Sequence, residues 1–346
     1  MKKLNWKSVF NFIFLVTVFS LTVWSVFHGE DVGKILLYIR DANPAYIFPS
    51  ILCVILYIIS ESAIIFYLMH KLSSPVQFSH CCLYSFIGFF YCCITPSASG
   101  GQHMQVVVMR KDGIPAAVST VILAIITIVY KLVLILIGAA VMLLRPAQIM
   151  VYLDPVESVI YLGLVLNVIC VLALLLLVFD PNLVRLIASK TLTLINKIHP
   201  LRNIDKQTAR IERITQQYHG TAEFYRNNTR VIFIVFLITF VQRVMLFLVT
   251  WLTYRSFGMT EHSMPVIVSL QAMISVAADM MPLPGGMGIS ENLFLDIFHT
   301  IFGEAHVIPG MVISRGISYY SQLLISAVMT VAGTYILNKS KKKLSS

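Results

Sequence analysis

The sequence predicts an all-α polytopic membrane protein, with about six full transmembrane helices and two re-entrant helical hairpins in an inverted repeat. Three observations predict it. The chain is 58% hydrophobic but only 12% charged, against about 25% charged for a soluble domain. Apolar runs at 9–27, 122–144, 160–179 and 231–252 each approach the roughly 20 residues that cross a bilayer. Two further apolar segments, 80–95 and 264–302, are broken by proline and glycine.

Taken in order, the spans are expected at 7–28 and 45–69. A segment over 80–95 stops at Thr95-Pro96-Ser97-Ala98-Ser99-Gly100-Gly101, and a short piece follows over 102–110. As a helix, 80–95 reaches only about 24 Å, too little for a full crossing, so a hairpin that returns to its own side is expected. Full spans resume at 117–144, 157–179 and 230–254. The second broken region, 264–302, is interrupted at Pro282-Leu283-Pro284-Gly285-Gly286-Met287-Gly288, and the last span covers 310–338. Residues 1–346 therefore form one integral membrane domain. Within it 1–150 and 151–346 each read span, span, hairpin, span, and 180–230 is a basic loop.

Charge sets the orientation. Lys2, Lys3 and Lys7 precede an apolar run with no small-residue cleavage site near 26–29, so that run reads as a first span rather than a removed leader. The loop 180–230 carries nine Lys/Arg against four Asp/Glu, and Lys339, Lys341, Lys342 and Lys343 crowd the other end of the chain. By the positive-inside rule both ends and this loop lie in the cytoplasm of a bacterial-type inner membrane. Lys71 and Arg110-Lys111 flank the first broken region and place both of its feet inside; the second enters from outside and returns there. The two halves are then inverted, as in many secondary transporters. Within the loop, Leu183, Leu186, Ile187, Leu194, Ile195 and Ile198 oppose Arg185, Lys190 and Lys197, an amphipathic pattern suited to the inner leaflet.

The net charge of +10 matches cytoplasmic loops facing anionic lipid, and no nucleic-acid partner is expected. All six cysteines lie in apolar segments without zinc-ligand spacing. They read as core residues, and neither metal nor cofactor is expected.

Ionisable groups in hydrocarbon are costly and point to function. Seven fall there: Glu61, Lys131, Arg243, Asp279, Glu291, Asp296 and Arg315. Arg315, Ser318, Tyr319, Gln322 and Ser326 recur at helical spacing and predict one polar face. At the tips, prolines stop a helix and glycines let the backbone turn. Each tip then opens a half-helix whose N–H groups favour anions, with Ser290 as candidate cap of the second and Glu291 in its first turn. The candidate substrate site comprises Pro96, Gly100, Gly101, Gln102, Lys131, Arg243, Pro282, Pro284, Gly285, Gly286, Gly288, Ser290, Glu291, Arg315 and Tyr319. Glu61, Asp279 and Asp296 are candidate coupling acids. No nucleophile elbow or other catalytic constellation is present in the sequence.

Pro282-Leu283-Pro284-Gly285-Gly286-Met287-Gly288-Ile289-Ser290-Glu291 resembles the P-x-P-G-G-x-G-x-x-E signature of the lysylphosphatidylglycerol synthase transmembrane-region family. Thr95-Pro96, Gly100-Gly101-Gln102 and Arg110-Lys111-Asp112-Gly113 resemble its other landmark, and Arg315 fits an arginine usual in the last span. The sequence departs from the family pattern at Gln102, where an acid is common, and at Tyr130-Lys131, where Glu-Arg is common. The resemblance implies translocation of a phospholipid, aminoacylated or not, or of another lipid-linked phosphate. It also implies two alternatives: lysyl transfer from lysyl-tRNA to phosphatidylglycerol with resistance to cationic peptides, or a non-transporting role in envelope assembly. Transferring members carry a soluble catalytic domain that the 346 residues lack, so that chemistry is expected to reside elsewhere. The implied partners are membrane phospholipids and a lipid-synthesising enzyme.

Single cysteines in a background lacking the native six test this orientation with membrane-impermeant thiol reagents. Positions 154 and 306 are expected to label from outside, position 206 only after permeabilisation, and positions 71 and 110 from the same side. Labelling of 71 and 110 from opposite sides would refute the first hairpin.

Overall fold

The computed structural model describes residues 32–74, 76–95, 100–180, 183, 185–186, 189–190 and 204–344. The expected span over 7–28 and Pro96 lie outside them. The described residues form helices α1 Val32–Asp41, α2 Pro44–Lys71, α3 Phe78–Ile94, α4 Gly100–Lys111, α5 Ala116–Leu144 and α6 Ala147–Leu153. There follow α7 Glu157–Phe179, α8 Ile204–Asn227, α9 Thr229–Ser256, α10 Met264–Ala278, α11 Ile289–Arg315 and α12 Gln322–Leu344. Five helical runs are long and apolar enough to cross a membrane: Pro44–Lys71, Ala116–Leu144, Ala147–Phe179, Thr229–Ser256 and Ile289–Gly333. α3 and α10 are shorter apolar helices of 17 and 15 residues.

The centre is an antiparallel pair, α2 and α9. Asn43 starts α2 by accepting the Ala45 N–H at 2.9 Å, with Pro44 in the first turn. Its own N–H reaches Ser256 O, the last residue of α9, at 2.8 Å. Half-way along, the Gln242 amide donates to Tyr57 O at 2.9 Å. At the far end, near Lys71, the Tyr225 hydroxyl of α8 donates to Leu68 O at 2.9 Å.

The first broken region is a hairpin whose feet meet at the Lys71 end. His80 of α3 and Asp112, just past α4, approach at 2.8 Å, and Tyr84 donates to the same carboxylate oxygen at 2.6 Å. The second hairpin has its feet at the opposite end. Phe302 of α11 packs on Tyr254 and Phe257 at the end of α9, and the His262 N–H, just before α10, donates to Tyr254 Oη.

α11 is folded on itself. Gly303 has φ 70° and ψ 163°, outside the helical region. A straight helix would separate Glu291 from Arg315 by about 36 Å, yet their side chains meet at 2.8 Å. The arm 289–302 therefore runs out from the tip, and 304–315 runs back to it. The first hairpin leaves in a similar way, through Gly113 at φ 89°. Both positions use the conformation that glycine adopts at least cost.

Neighbours recur in pairs. α2 packs on α3 as α9 packs on α10, and α3 packs on α12 as α10 packs on α5. Two apolar clusters fill the ends. One gathers Leu134, Ile267, Met273, Phe294 and Phe298 around α10 and α11. The other gathers Ile65, Leu68, Met109, Val121 and Tyr225 at the Lys71 end.

Three elements were not anticipated: α1, α6 and α8. α8 occupies part of the expected loop. It buries Tyr218, Thr221, Ala222 and Tyr225, a stripe at helical spacing, while Arg213, Glu223 and Arg226 stay exposed. Most of the expected amphipathic stretch at 183–198 lies outside the described residues. The polar face expected on the last span is modified too, because Gly316–Ser321 is π-helical and widens the turn between Arg315 and Gln322.

Close packing of α7 on α10 depends on Gly163, where a Cβ would lie 2.5 Å from Val276 O. Gly163→Val is expected to cost about 1–3 kcal/mol and to lower the melting temperature in detergent. Gly220→Ala, where nothing lies within 4 Å of the added carbon, is expected to leave it unchanged or raise it.

Candidate functional site

Each helix that stops inside the bundle leaves unpaired backbone groups at its end. At the first tip the Thr95 hydroxyl accepts the Gly100 N–H at 2.9 Å while donating to Tyr91 O at 2.7 Å. A Cβ at Gly100 would overlap Thr95, and one at Gly101 would overlap Cys92 and crowd Gly88 O, so both glycines are required by space. The Cys93 carbonyl, in the last turn of α3, accepts the Tyr319 hydroxyl at 2.8 Å. The end of the first hairpin is thus closed by a residue of the second half.

The second tip is organised by Arg315. Its Nε donates to Glu291 at 2.8 Å and its Nη2 to Gly285 O at 3.0 Å. The other Glu291 oxygen accepts the Gly288 N–H at 2.7 Å. Glu291 is therefore the capping group of this half-helix. Ser290 is not, because the helix begins at Ile289 and Ser290 already lies in its first turn. Gly285 and Gly286 have φ of 58° and 66°, and a Cβ at Gly285 would overlap the Tyr319 ring. One amide of the expected anion-binding helix end is thus already taken by a carboxylate from its own chain.

A second polar cluster gathers where α10 ends. Lys131 of α5 is 7% exposed. It donates to Asp279 at 2.6 Å, to Asn167 Oδ1 at 3.3 Å and to Met280 Sδ at 3.0 Å. Tyr130 donates to the other Asp279 oxygen. The face of the same Tyr130 ring carries the Arg243 guanidinium, 3.7 Å from its centroid, and Tyr57 flanks it at 5.1 Å. Both are cation–π distances.

Arg243 stands at the middle of α9, and it differs from the other two cations. Lys131 and Arg315 each hold a carboxylate. Among the described residues Arg243 has neither an ion pair nor a hydrogen-bond partner, and its Nε is buried and unsatisfied. One turn earlier on α9, Thr239 is 1% exposed and its hydroxyl is likewise without a partner among the described residues. The nearby acid Glu61 accepts from Gln105 of α4 at 3.0 Å.

Sequence expectation and structure can be compared residue by residue. The structure joins Gly285, Gly288, Glu291, Arg315 and Tyr319 at one tip, with Gly286 and Ser290 beside them. It joins Lys131 and Asp279, with Arg243 held on the same tyrosine. Gly100 and Gly101 form the other tip. Gln102 is exposed and donates to Thr127; Pro282 is exposed, and Pro284 opens the short turn Pro284–Gly286. Asp296 stands on the exposed face of α11, away from both clusters. Tyr57, Gln105, Asn167 and Thr239 were not anticipated. A search for uncharged polar residues within the apolar spans would have flagged Asn167 and Thr239, while Gln105 lies in the short piece 102–110.

Removing one member of a buried ion pair strands the other charge, at about 3–5 kcal/mol. Glu291→Gln alone is expected to destabilise the protein by an amount near that range. The double variant Glu291→Gln/Arg315→Met is expected to be more stable than the sum of the two single changes implies. Thermal unfolding of all four proteins measures the coupling; additive effects would mean that the pair does not hold the tip.

No match to the sequence is found among curated proteins. The family model described as the lysylphosphatidylglycerol synthase TM region matches residues 12–326. With its long apolar helices, two hairpins and the Pro-Gly tip that ends at Glu291, this multi-pass membrane protein belongs to the lysylphosphatidylglycerol synthase transmembrane-region family.

Proposed function

We propose that the protein is a lipid transporter that carries a phosphate-bearing headgroup across the cytoplasmic membrane, with Arg243 as its central anion-binding residue. The observation that carries this reading is the contrast among the three intramembrane cations. A buried charge is retained at high cost unless something pairs with it. Lys131 and Arg315 have their carboxylates; among the described residues Arg243 lies against two tyrosine rings, with Glu61 and Asp279 acting on it from beyond salt-bridge distance. Its guanidinium presents a fork of donors that matches phosphate, and the Thr239 hydroxyl adds a further donor one turn away.

The architecture supports movement as well as binding. The reciprocal packing of α2–α3 with α9–α10, and of α3–α12 with α10–α5, supports an inverted repeat of 1–150 on 151–346. Two hairpins with feet at opposite ends and tips near one level give each side of the membrane one mobile barrier. Rocking of the halves about the α2–α9 pair would expose Arg243 to each side in turn. On this reading the Lys71 end is cytoplasmic, and the headgroup travels between the tips while the acyl chains remain in lipid.

A second reading rests on the family's name: the chain is the membrane partner of an enzyme that makes lysylphosphatidylglycerol. Lysyl-lipid formed only when this protein and a lysyl-tRNA-using enzyme are present together would favour it.

The transporter reading is tested in proteoliposomes containing tail-labelled phosphatidylglycerol. Wild type is expected to move label between leaflets faster than empty vesicles, and Arg243→Gln to lose about 10-fold or more, equivalent to about 1.4 kcal/mol of lost anion stabilisation. Arg243→Lys keeps the charge but not the fork, and is expected to fall between them. Equal rates in wild type, Arg243→Gln and empty vesicles over a range of headgroups would refute the reading.

A further inference from the structure

We infer that the arm 289–302 of the second hairpin is one wall of a water-filled groove that opens sideways to lipid and carries the polar headgroup between the second tip and the nearer membrane surface. The inference rests on the transporter reading above and adds the route. It starts from what the arm exposes. Along 289–302 the exposed residues are Asn292, Asp296, His299 and Thr300. They stand at i, i+4, i+7 and i+8, on one face of the helix, and every one is polar. Among the described residues none of the four side chains has a hydrogen bond or ion pair.

Depth makes such a face costly anywhere but against water. α10, with 15 residues, reaches about 22 Å and the arm about 21 Å, both less than the roughly 30 Å of hydrocarbon. The tip therefore lies inside the bilayer. Asp296, midway along the arm, stands about 10 Å from its outer end. α7 is the internal comparison. It starts at the same end of the molecule, just after Tyr152, which packs on His262. Over a similar depth it exposes Leu162, Val165, Val168, Ile169 and Leu172. Lipid is the ordinary neighbour of that apolar face. A face of Asn, Asp, His and Thr within hydrocarbon belongs against a water-filled cavity.

The stripe is continuous with the second tip. It begins one residue past Glu291, the cap of the half-helix, and ends at the Gly303 turn. α4 follows the first tip as this arm follows the second. It exposes Gln102 and His103 just beyond its tip and Arg110 and Lys111 at its foot. Two half-grooves that meet at the tips give a path along which a headgroup stays in water while its acyl chains stay in lipid. The stripe on the arm offers a carboxylate, an amide, an imidazole and a hydroxyl, and no lysine or arginine. It therefore suits the hydroxyl-bearing end of a headgroup, whose O–H groups donate to Asp296 and Asn292, better than a bare phosphate.

Thiol reactivity and lipid movement together test the inference. Asn292→Cys, Asp296→Cys, His299→Cys and Thr300→Cys, each in a full chain lacking the native six cysteines, are placed in proteoliposomes with a membrane-impermeant thiol reagent. Because the thiolate is the reacting form and needs water, they are expected to label at least about tenfold faster than Leu162→Cys, Val165→Cys and Ile169→Cys, and from the side that reaches position 306. With tail-labelled phosphatidylglycerol, Asp296→Leu is expected to slow movement about tenfold, and Asp296→Asn, which still accepts hydrogen bonds, to stay within about twofold of wild type. Labelling of the stripe no faster than at 162, 165 and 169, while lipid still moves, overturns the groove and leaves the transporter reading standing. Labelling that appears only after the protein is dispersed to monomers means that a second copy covers the stripe, and also overturns the groove. A labelled stripe with no lipid movement by wild type overturns the headgroup as its occupant together with the transporter reading. The labelling rates decide the groove even if Asp296→Leu does not fold.

Discussion

A peptide N–H or C=O without a partner in hydrocarbon costs several kcal/mol, and two hairpins that end inside a helical bundle create such groups where water cannot supply the bond. The rest of the fold follows from how they are satisfied. Thr95 takes the Gly100 N–H, Tyr319 the Cys93 carbonyl, Glu291 the Gly288 N–H and Arg315 the Gly285 carbonyl. Two of these four side chains come from the turn region that follows the second hairpin, and one of those two closes the first. The tips are therefore not independent breaks. Both are touched by one short π-helical stretch or the residue before it, and single-turn π stretches inside α-helices are frequent at functional sites.

Charge is divided in the same economical way. Glu291 serves twice, as the carboxylate of Arg315 and as the cap of its own helix. Asp279 also serves twice, for Lys131 and Tyr130. Of the three intramembrane cations among the described residues, Arg243 alone has no carboxylate within salt-bridge distance, and it stands on the helix that packs antiparallel to α2 at the centre of the molecule. Aromatic faces hold that guanidinium, with Glu61 and Asp279 acting on it only from farther off, and on the proposed reading its donors serve a ligand. That contrast between two tight ion pairs and the loosely countered Arg243 is the basis of the functional account.

Much of this was legible in the sequence. Length and hydropathy gave the long spans, and the spacing of Lys71 and Arg110 around too short a segment gave the first hairpin. The second Pro-Gly tip fell where the chain turns, and Gly100 of the first fell where α4 begins. What the sequence could not settle was the division of labour among charges that attract one another from opposite ends of the chain. Lys131 and Asp279 are 148 residues apart, and nothing local distinguishes that pair from one between Arg243 and Asp279. Ser290 was a reasonable cap by residue type, but the register of the helix start, set by the positive φ of Gly285, Gly286 and Gly288, gave the role to Glu291. α8 escaped notice because its single apolar stripe is diluted by polar residues over 24 positions, and helical stability there comes from tertiary packing on α5 and α7.

The central claim is that Arg243 meets the phosphate of a lipid between the two tips. It is tested most directly by a structure determined in a nanodisc that contains phosphatidylglycerol. The account predicts headgroup density against the Arg243 guanidinium and the Thr239 hydroxyl, with Lys131 and Arg315 still holding their carboxylates. Lipid density confined to the outer surface, with Arg243 paired to Glu61 or Asp279, would contradict it.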